Sequence, residues 1–219
     1  MIASEHGYHE TELRNALDPK KRTSLLPAIE SRHEFVLDVG CGMGQSLIAA
    51  QLPATVSASG IDPDATLIAY GKTIVPSNVR LEVGSAENLP FGDEHFDLIY
   101  SRVALPYTHL SQALGEISRT LKPGGDVWLV LHTANMYTRR LRRSAMRRQF
   151  KDVAYCCFIL CNGLLLHALG MQLRIRGRLE TFQTTSGMRR ALRRAGLEWI
   201  RSESSGKPTL FVICARKSA

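Results

Sequence analysis

An apolar run, EFVLDV at residues 34–39, is followed by a helix-like stretch, GQSLIAAQL at 44–52, that stops at Pro53. The alternation then repeats. Residues 55–61, 78–83, 95–101 and 126–131 are short runs that read as further strands. Residues 63–74 and 109–121 have helical spacing, and the second stretch ends at Lys122-Pro123-Gly124-Gly125, a strong stop signal and a turn into the next strand. Strands alternating with helices at this spacing predict an α/β fold, with a mostly parallel sheet covered by helices on both faces.

The pattern breaks after residue 132. Residues 133–180 hold a basic helix-like run, an apolar stretch and a second basic run. The apolar stretch, DVAYCCFILCNGLLLHALG at 152–170, is near the lower limit for a bilayer crossing. Asn162, Gly163 and His167 interrupt it, which predicts two short buried or interfacial helices. Residues 185–195 then read as a helix ending at Gly196. Residues 197–203 and 209–216 read as two strands joined by a short Ser-Gly-Lys-Pro link, so the last strand is expected to run antiparallel. The chain thus divides into an N-terminal helical segment (1–33), a core (34–132), a helical insertion or lid (133–184), and a final helix with hairpin (185–219).

Composition adds a charge asymmetry. The 219 residues, 24.3 kDa, suit one domain with an elaboration, and the net charge is +8. Residues 1–132 carry 10 basic and 16 acidic side chains, whereas residues 133–219 carry 18 and 4. Five cysteines without paired C-x-x-C motifs point to reduced thiols rather than a zinc or disulfide framework. The opening MIASEHGYHETEL is polar and acidic, which predicts no signal peptide and a cytoplasmic protein.

Chemistry concentrates in the turn after the first strand. Gly40, Gly42 and Gly44 read G-x-G-x-G, one residue tighter than the dinucleotide fingerprint G-x-G-x-x-G. Ligands of parallel sheets bind beyond the C-terminal strand ends, and glycine lets them approach the main chain. Asp38 adds a carboxylate there, which repels phosphate and attracts an amino group. The turn therefore favours a ligand with a cationic end over a nicotinamide dinucleotide.

D-V-G-C-G-M-G at 38–44 resembles motif I of the class I S-adenosylmethionine (SAM)-dependent methyltransferases, and the chain resembles their small-molecule "type 11" group over residues 34–132. The resemblance implies a Rossmann-like sheet of seven strands with SAM as cofactor. Gly60-Ile61-Asp62 places Asp62 where an acidic side chain takes the ribose hydroxyls. Asp62 also suits a helix N-cap, because Pro63 follows it. Gly84-Ser85-Ala86-Glu87-Asn88-Leu89-Pro90-Phe91 resembles the family's G-D-A-E-x-L-P-F, with Ser85 replacing the Asp that contacts the adenine amino group. Phe96–Ser101 matches the strand whose end faces the methionine part, and Leu121–Gly125 the turn into the fifth strand. The implied cofactor set is Asp38, Gly40, Gly42, Gly44, Asp62, Ser85, Ala86, Glu87 and Ser101.

Methyl transfer from a sulfonium needs chiefly a positioned nucleophile, and a general base only where the acceptor must lose a proton. His132, at the end of the fifth strand, is the candidate base, with Tyr107 and His109 nearby in sequence. Tyr8 and His9 fit an N-terminal helix that covers the cofactor. The expected acceptor is a small lipophilic or anionic molecule under a lid formed by the insertion, whose basic flanks also suit an anionic membrane surface. The alternatives are an RNA-directed methyltransferase using the basic half, and a SAM-binding regulatory protein without catalysis.

Overall fold

The computed structural model describes residues 2–18, 25–175, 177–205 and 208–218, with backbone alone at 2–6, 8 and 204. Helix α1 (Ile2–Leu17) precedes strand β1 (Phe35–Val39). There follow α2 (Gln45–Ala50), β2 (Ser57–Asp62), α3 (Ala65–Gly71), β3 (Val79–Val83) and β4 (Phe96–Arg102). Next come α4 (Leu110–Thr120), β5 (Leu121–His132), α5 (Ala134–Met146) and α6 (Phe150–Leu169). The chain closes with α7 (Thr185–Arg194), β6 (Leu197–Ser204) and β7 (Leu210–Lys217).

Among the described residues the strands form one seven-stranded sheet in the order β3-β2-β1-β4-β5-β7-β6. Strands β1 to β5 are parallel, and β7 runs antiparallel to both β5 and β6. The strand order reverses between β1 and β4, and open α/β sheets bind their ligands at the strand ends beside such a reversal.

Both faces of the sheet are buried, which is why β1 reads as a nearly continuous apolar run. Leu37, Ile99 and Leu129 pack with Leu114 and Ile117 of α4 and with Met188 and Leu192 of α7. Val36, Leu98, Tyr100 and Trp128 face the other way, against Leu47 of α2 and Ile68 of α3.

Two sequence expectations are corrected. Lys122-Pro123-Gly124-Gly125 is not a turn before β5: α4 stops at Thr120 and the strand starts at once. Leu121 pairs with Phe96 and Asp126 with Leu98, so the intervening residues bulge out of the strand. Gly124 supplies the positive φ, +74°.

The second correction concerns residues 152–170. They form one continuous helix, α6, instead of two. The three residues read as interruptions are its contact face. Buried Asn162 donates to the carbonyls of Leu173, Leu179 and Glu180 and accepts from the Leu173 N–H. His167 Nε2 lies 3.3 Å from the Phe182 carbonyl. Gly163 lets the ring of Phe182 close in: a Cβ there would stand 2.3 Å from it. Gly163→Ala is therefore expected to destabilise the fold by about 1–3 kcal/mol through overpacking. Thermal unfolding should show a midpoint lower by several degrees, and an unchanged midpoint would mean that α6 is not docked as described.

Candidate active site

The first βα turn is built on left-handed backbone, with φ of 79°, 56° and 81° at Gly40, Gly42 and Gly44. The amides of Gly40 and Cys41 donate to the Ile61 carbonyl at 2.8 and 3.0 Å, tying the turn to β2. A Cβ on Gly40 would stand 2.1 Å from that of Ala104. One on Gly42 would meet His9 Nδ1 at 2.5 Å and Gln45 Nε2 at 2.9 Å. Helix α1 thus lies on the glycine turn, with His9 3.1 Å from Gln45 Nε2, while the side chain of Tyr8 lies outside the described residues.

Asp38 ends up fully buried with no hydrogen-bond partner on either carboxylate oxygen. Tyr100, opposite it on β4, is equally buried and its hydroxyl is also without a partner. Desolvation pushes the Asp38 pKa up to about 7, although the charge of Arg102 and the nearby Tyr100 hydroxyl pull the other way. Arg102 is held by Ser46 Oγ at 2.8 Å and Glu12 Oε2 at 3.2 Å, which links β4, α2 and α1.

Asp62, at the end of β2, accepts from the Gly42 amide at 2.9 Å and from the Asp64 amide at 3.0 Å. It does not cap α3. Asp64 is the cap, accepting from Thr66 and Leu67, because the helix starts at Ala65, two residues later than Pro63 would set it. Each Asp62 oxygen keeps lone-pair capacity for a further donor.

The other predicted residues divide into two groups. Ser85 Oγ donates to Glu87 Oε2 at 3.0 Å and accepts from the Glu87 amide at 3.2 Å. Glu87 in turn takes the His109 amide at 2.8 Å, supporting the start of α4, for which His109 is the N-cap residue. Ala86 belongs to the apolar core. Ser101 is buried and donates to the Val39 carbonyl at 2.7 Å, bridging β1 and β4 at the switch point. Asp38, the glycines and Asp62 thus gather around one turn, whereas Ser85 and Ser101 spend their hydroxyl protons on protein groups.

Two strands away, the end of β5 carries a polar cluster of which the sequence singles out only His132 and Tyr107. His132 Nδ1 lies 3.1 Å from the Tyr137 hydroxyl, and that hydroxyl donates to Glu180 Oε1 at 2.8 Å. The hydroxyl of Tyr155 donates to Glu180 Oε2 at 2.5 Å. His132 and Glu180 are both buried, and the half-exposed Tyr107 stands edge-on to the imidazole, ring centroids 6.1 Å apart. Burial lowers the His132 pKa to about 4. Burial, followed by the charge of Glu180, raises that of Tyr137.

Tyr137 comes from α5 and Tyr155 from α6, while Glu180 lies on the return segment, where Thr181 and Gln183 donate to the carbonyls of Pro106 and His132. Gln183 Oε1 is buried without a partner. A signal for Glu180 was present in the sequence: it is the sole acidic residue between Asp152 and Glu198 in a basic segment.

The β1/β4 reversal, with a glycine turn, an unpaired buried carboxylate and an acid at the end of β2, has the arrangement expected of the donor half of a Rossmann-like methyltransferase. Residues 36–125 match the family model described as a methyltransferase domain. An uncharacterized methyltransferase of Synechocystis is 34% identical over 134 residues, 59% of this chain and 56% of the relative. The ubiquinone/menaquinone biosynthesis C-methyltransferase UbiE of Geotalea daltonii is 36% identical over 100 residues, 42% of this chain and 43% of the relative. The alignments thus span about half the length of the curated relatives. A SAM-dependent methyltransferase structure from Methanosarcina mazei superposes with a TM-score of 0.60 at 21% identity, covering 87% of this chain and 94% of that one. Residues 36–125 thus match a methyltransferase domain, and the chain is similar to SAM-dependent methyltransferases in sequence and in fold. Its insertion, 133–184, lies outside the matched domain.

The residues present fit SAM. The orphaned Asp38 carboxylate suits the ammonium of the methionine moiety, and Asp62 has acceptor capacity for the ribose. Asp62→Ala removes the carboxylate that fixes the Gly42 amide and is expected to lower SAM affinity by about 1.5–3 kcal/mol. Titration calorimetry reads this directly, and unchanged affinity would remove the ribose role.

Proposed function

We propose that this protein transfers a methyl group from SAM to a small lipophilic or anionic acceptor, bound between the ends of β4 and β5 and the α5–α6 insertion. The observation that carries the reading is the chain His132–Tyr137–Glu180, because it defines the state of the imidazole. The Tyr137 hydroxyl has one proton and donates it to Glu180. Its oxygen can therefore only accept from His132, which places the proton on Nδ1. Nε2 is then the basic nitrogen, and the low pKa keeps it unprotonated at neutral pH.

When bound, SAM supplies a methyl group already activated on a sulfonium. The chain's own groups do the rest. Asp38, the glycine turn and Asp62 hold the donor, His132 Nε2 receives the acceptor's proton, and Tyr137 fixes the ring. Glu180, between two tyrosine hydroxyls, anchors Tyr137 and Tyr155 against the core. The UbiE relative acts in quinone biosynthesis by name, which supports a lipophilic acceptor, although its similarity spans only 100 residues.

Incubation of the protein with methyl-labelled SAM and fractionated cell extract tests the reading. Label is expected in a lipid or small-molecule fraction. Label in RNA would favour the basic half as a nucleic-acid surface, and label in no fraction, with SAM still bound, would favour a regulatory SAM-binding protein.

A further inference from the structure

We infer that α6 lies flat on an anionic lipid surface, with its outward face in the interfacial region and the arginines around it on lipid headgroups. The face is visible residue by residue. Phe150, Ala154, Cys157, Cys161, Leu164 and Ala168 are all exposed, and none is charged. Their spacing of four and three residues keeps them on one side of a helix, over a length of roughly 27 Å. Bulky apolar side chains continue the patch at both ends: Met146 is 80% exposed, and Leu169 and Met171 are 66% and 55% exposed.

Charge selects the occupant. Residues 133–178 contain ten Lys or Arg and a single acid, Asp152. That acid is already paired with Arg140 and Ser144. Arg142, Arg143, Arg147 and Arg148 stand exposed near one end of the apolar stripe, exposed Arg178 lies over the Tyr155 ring of α6 at 4.6 Å from its centroid, and exposed Arg174 follows Leu173, whose amide bonds Asn162 of α6. Symmetric pairing of two copies through α6 would bring these arginines together, and like charges repel. A bilayer with anionic headgroups accepts the apolar stripe and the flanking cations at once.

By length and composition α6 could also cross a bilayer. Its inner face argues for lying in the plane instead. Cys156, Ile159, Asn162 and Gly163 are buried against the domain, and Asn162 holds three backbone carbonyls. Crossing would strand that carboxamide in hydrocarbon. A docked α6 places the chain at a membrane surface rather than free in the cytoplasm, with the helix that carries Tyr155 next to the source of a lipophilic acceptor. That last clause rests on the proposed function, whereas the docking itself does not.

The test is sedimentation of the full chain with vesicles of phosphatidylcholine, alone or mixed with phosphatidylglycerol. Binding is expected to the mixed vesicles only, and to weaken as salt is raised. Arg142→Ala combined with Arg143→Ala should lower the partition coefficient about thirtyfold, at about 1 kcal/mol per arginine. Leu164→Gln should lower it at unchanged charge. Calorimetric SAM binding by each variant confirms that it is folded, and vesicle binding without methyl transfer would count against the enzymatic reading alone. Three results would overturn the inference. The first is equal binding, or none, to the two vesicle types. The second is concentration-dependent self-association that Leu164→Gln abolishes, which would assign the face to a second copy. The third is arginine-dependent binding to an RNA oligonucleotide but not to vesicles.

Discussion

Replacing His132 with glutamine is expected to lower kcat by about 10²- to 10⁴-fold while SAM affinity stays unchanged. Glutamine keeps a side chain of similar reach but has no basic nitrogen. In the parent protein the ring pKa is lowered to about 4, so the rate should climb as pH rises through that value and then stay level through neutrality. The glutamine variant should lose this acid limb. Tyr137→Phe removes the hydroxyl that fixes the imidazole tautomer, so it should lower kcat by less and leave the limb in place. These rates are read with the acceptor that the labelling experiment identifies. Full activity in the glutamine variant would show that the acceptor needs no base from this position.

Asp38→Asn is expected to act on binding and stability with opposite signs. The carboxylate is buried without a hydrogen bond, and its pKa stands near 7, against 3.8 for the ordinary group. An acid whose folded pKa is raised gives full stability below about pH 4 and loses it as pH rises through 7. Over that window the loss is on the order of 4 kcal/mol, at 1.36 kcal/mol per pKa unit. The asparagine variant escapes it, so at pH 8 the ligand-free variant should melt several degrees above the parent, with little difference at pH 4. SAM affinity should move the other way, falling about ten- to a hundredfold with the loss of a charge-assisted contact to the ammonium. Calorimetry at pH 6 should also show about one proton released per SAM bound by the parent and none by the variant. Equal affinity would mean that Asp38 is a structural acid.

The strand-and-helix alternation was legible because both faces of the sheet are covered, so each strand is a short apolar run in its own right. The donor turn was legible for a related reason. Gly40, Gly42 and Asp62 meet through backbone geometry local to two adjacent strand ends, and local geometry leaves a spacing in the sequence. Helix ends were less so: Asp62 and Asp64 both precede α3, and only the hydrogen bonds assign the cap to Asp64. Residues 152–170 misled because polar residues in an apolar run look the same whether they break a helix or fasten it.

The sequence by itself determined the alternation of strands and helices, and the glycine turn with Asp38 that favours a cationic donor over a dinucleotide. Only the tertiary structure brought together the polar cluster at the end of β5. His132, Tyr137, Tyr155 and Glu180 come from a strand, two helices and a return segment, with up to 48 positions between them. No periodicity records such a meeting. It is produced by packing the insertion over the end of β5, where a buried carboxylate must find hydrogen-bond donors.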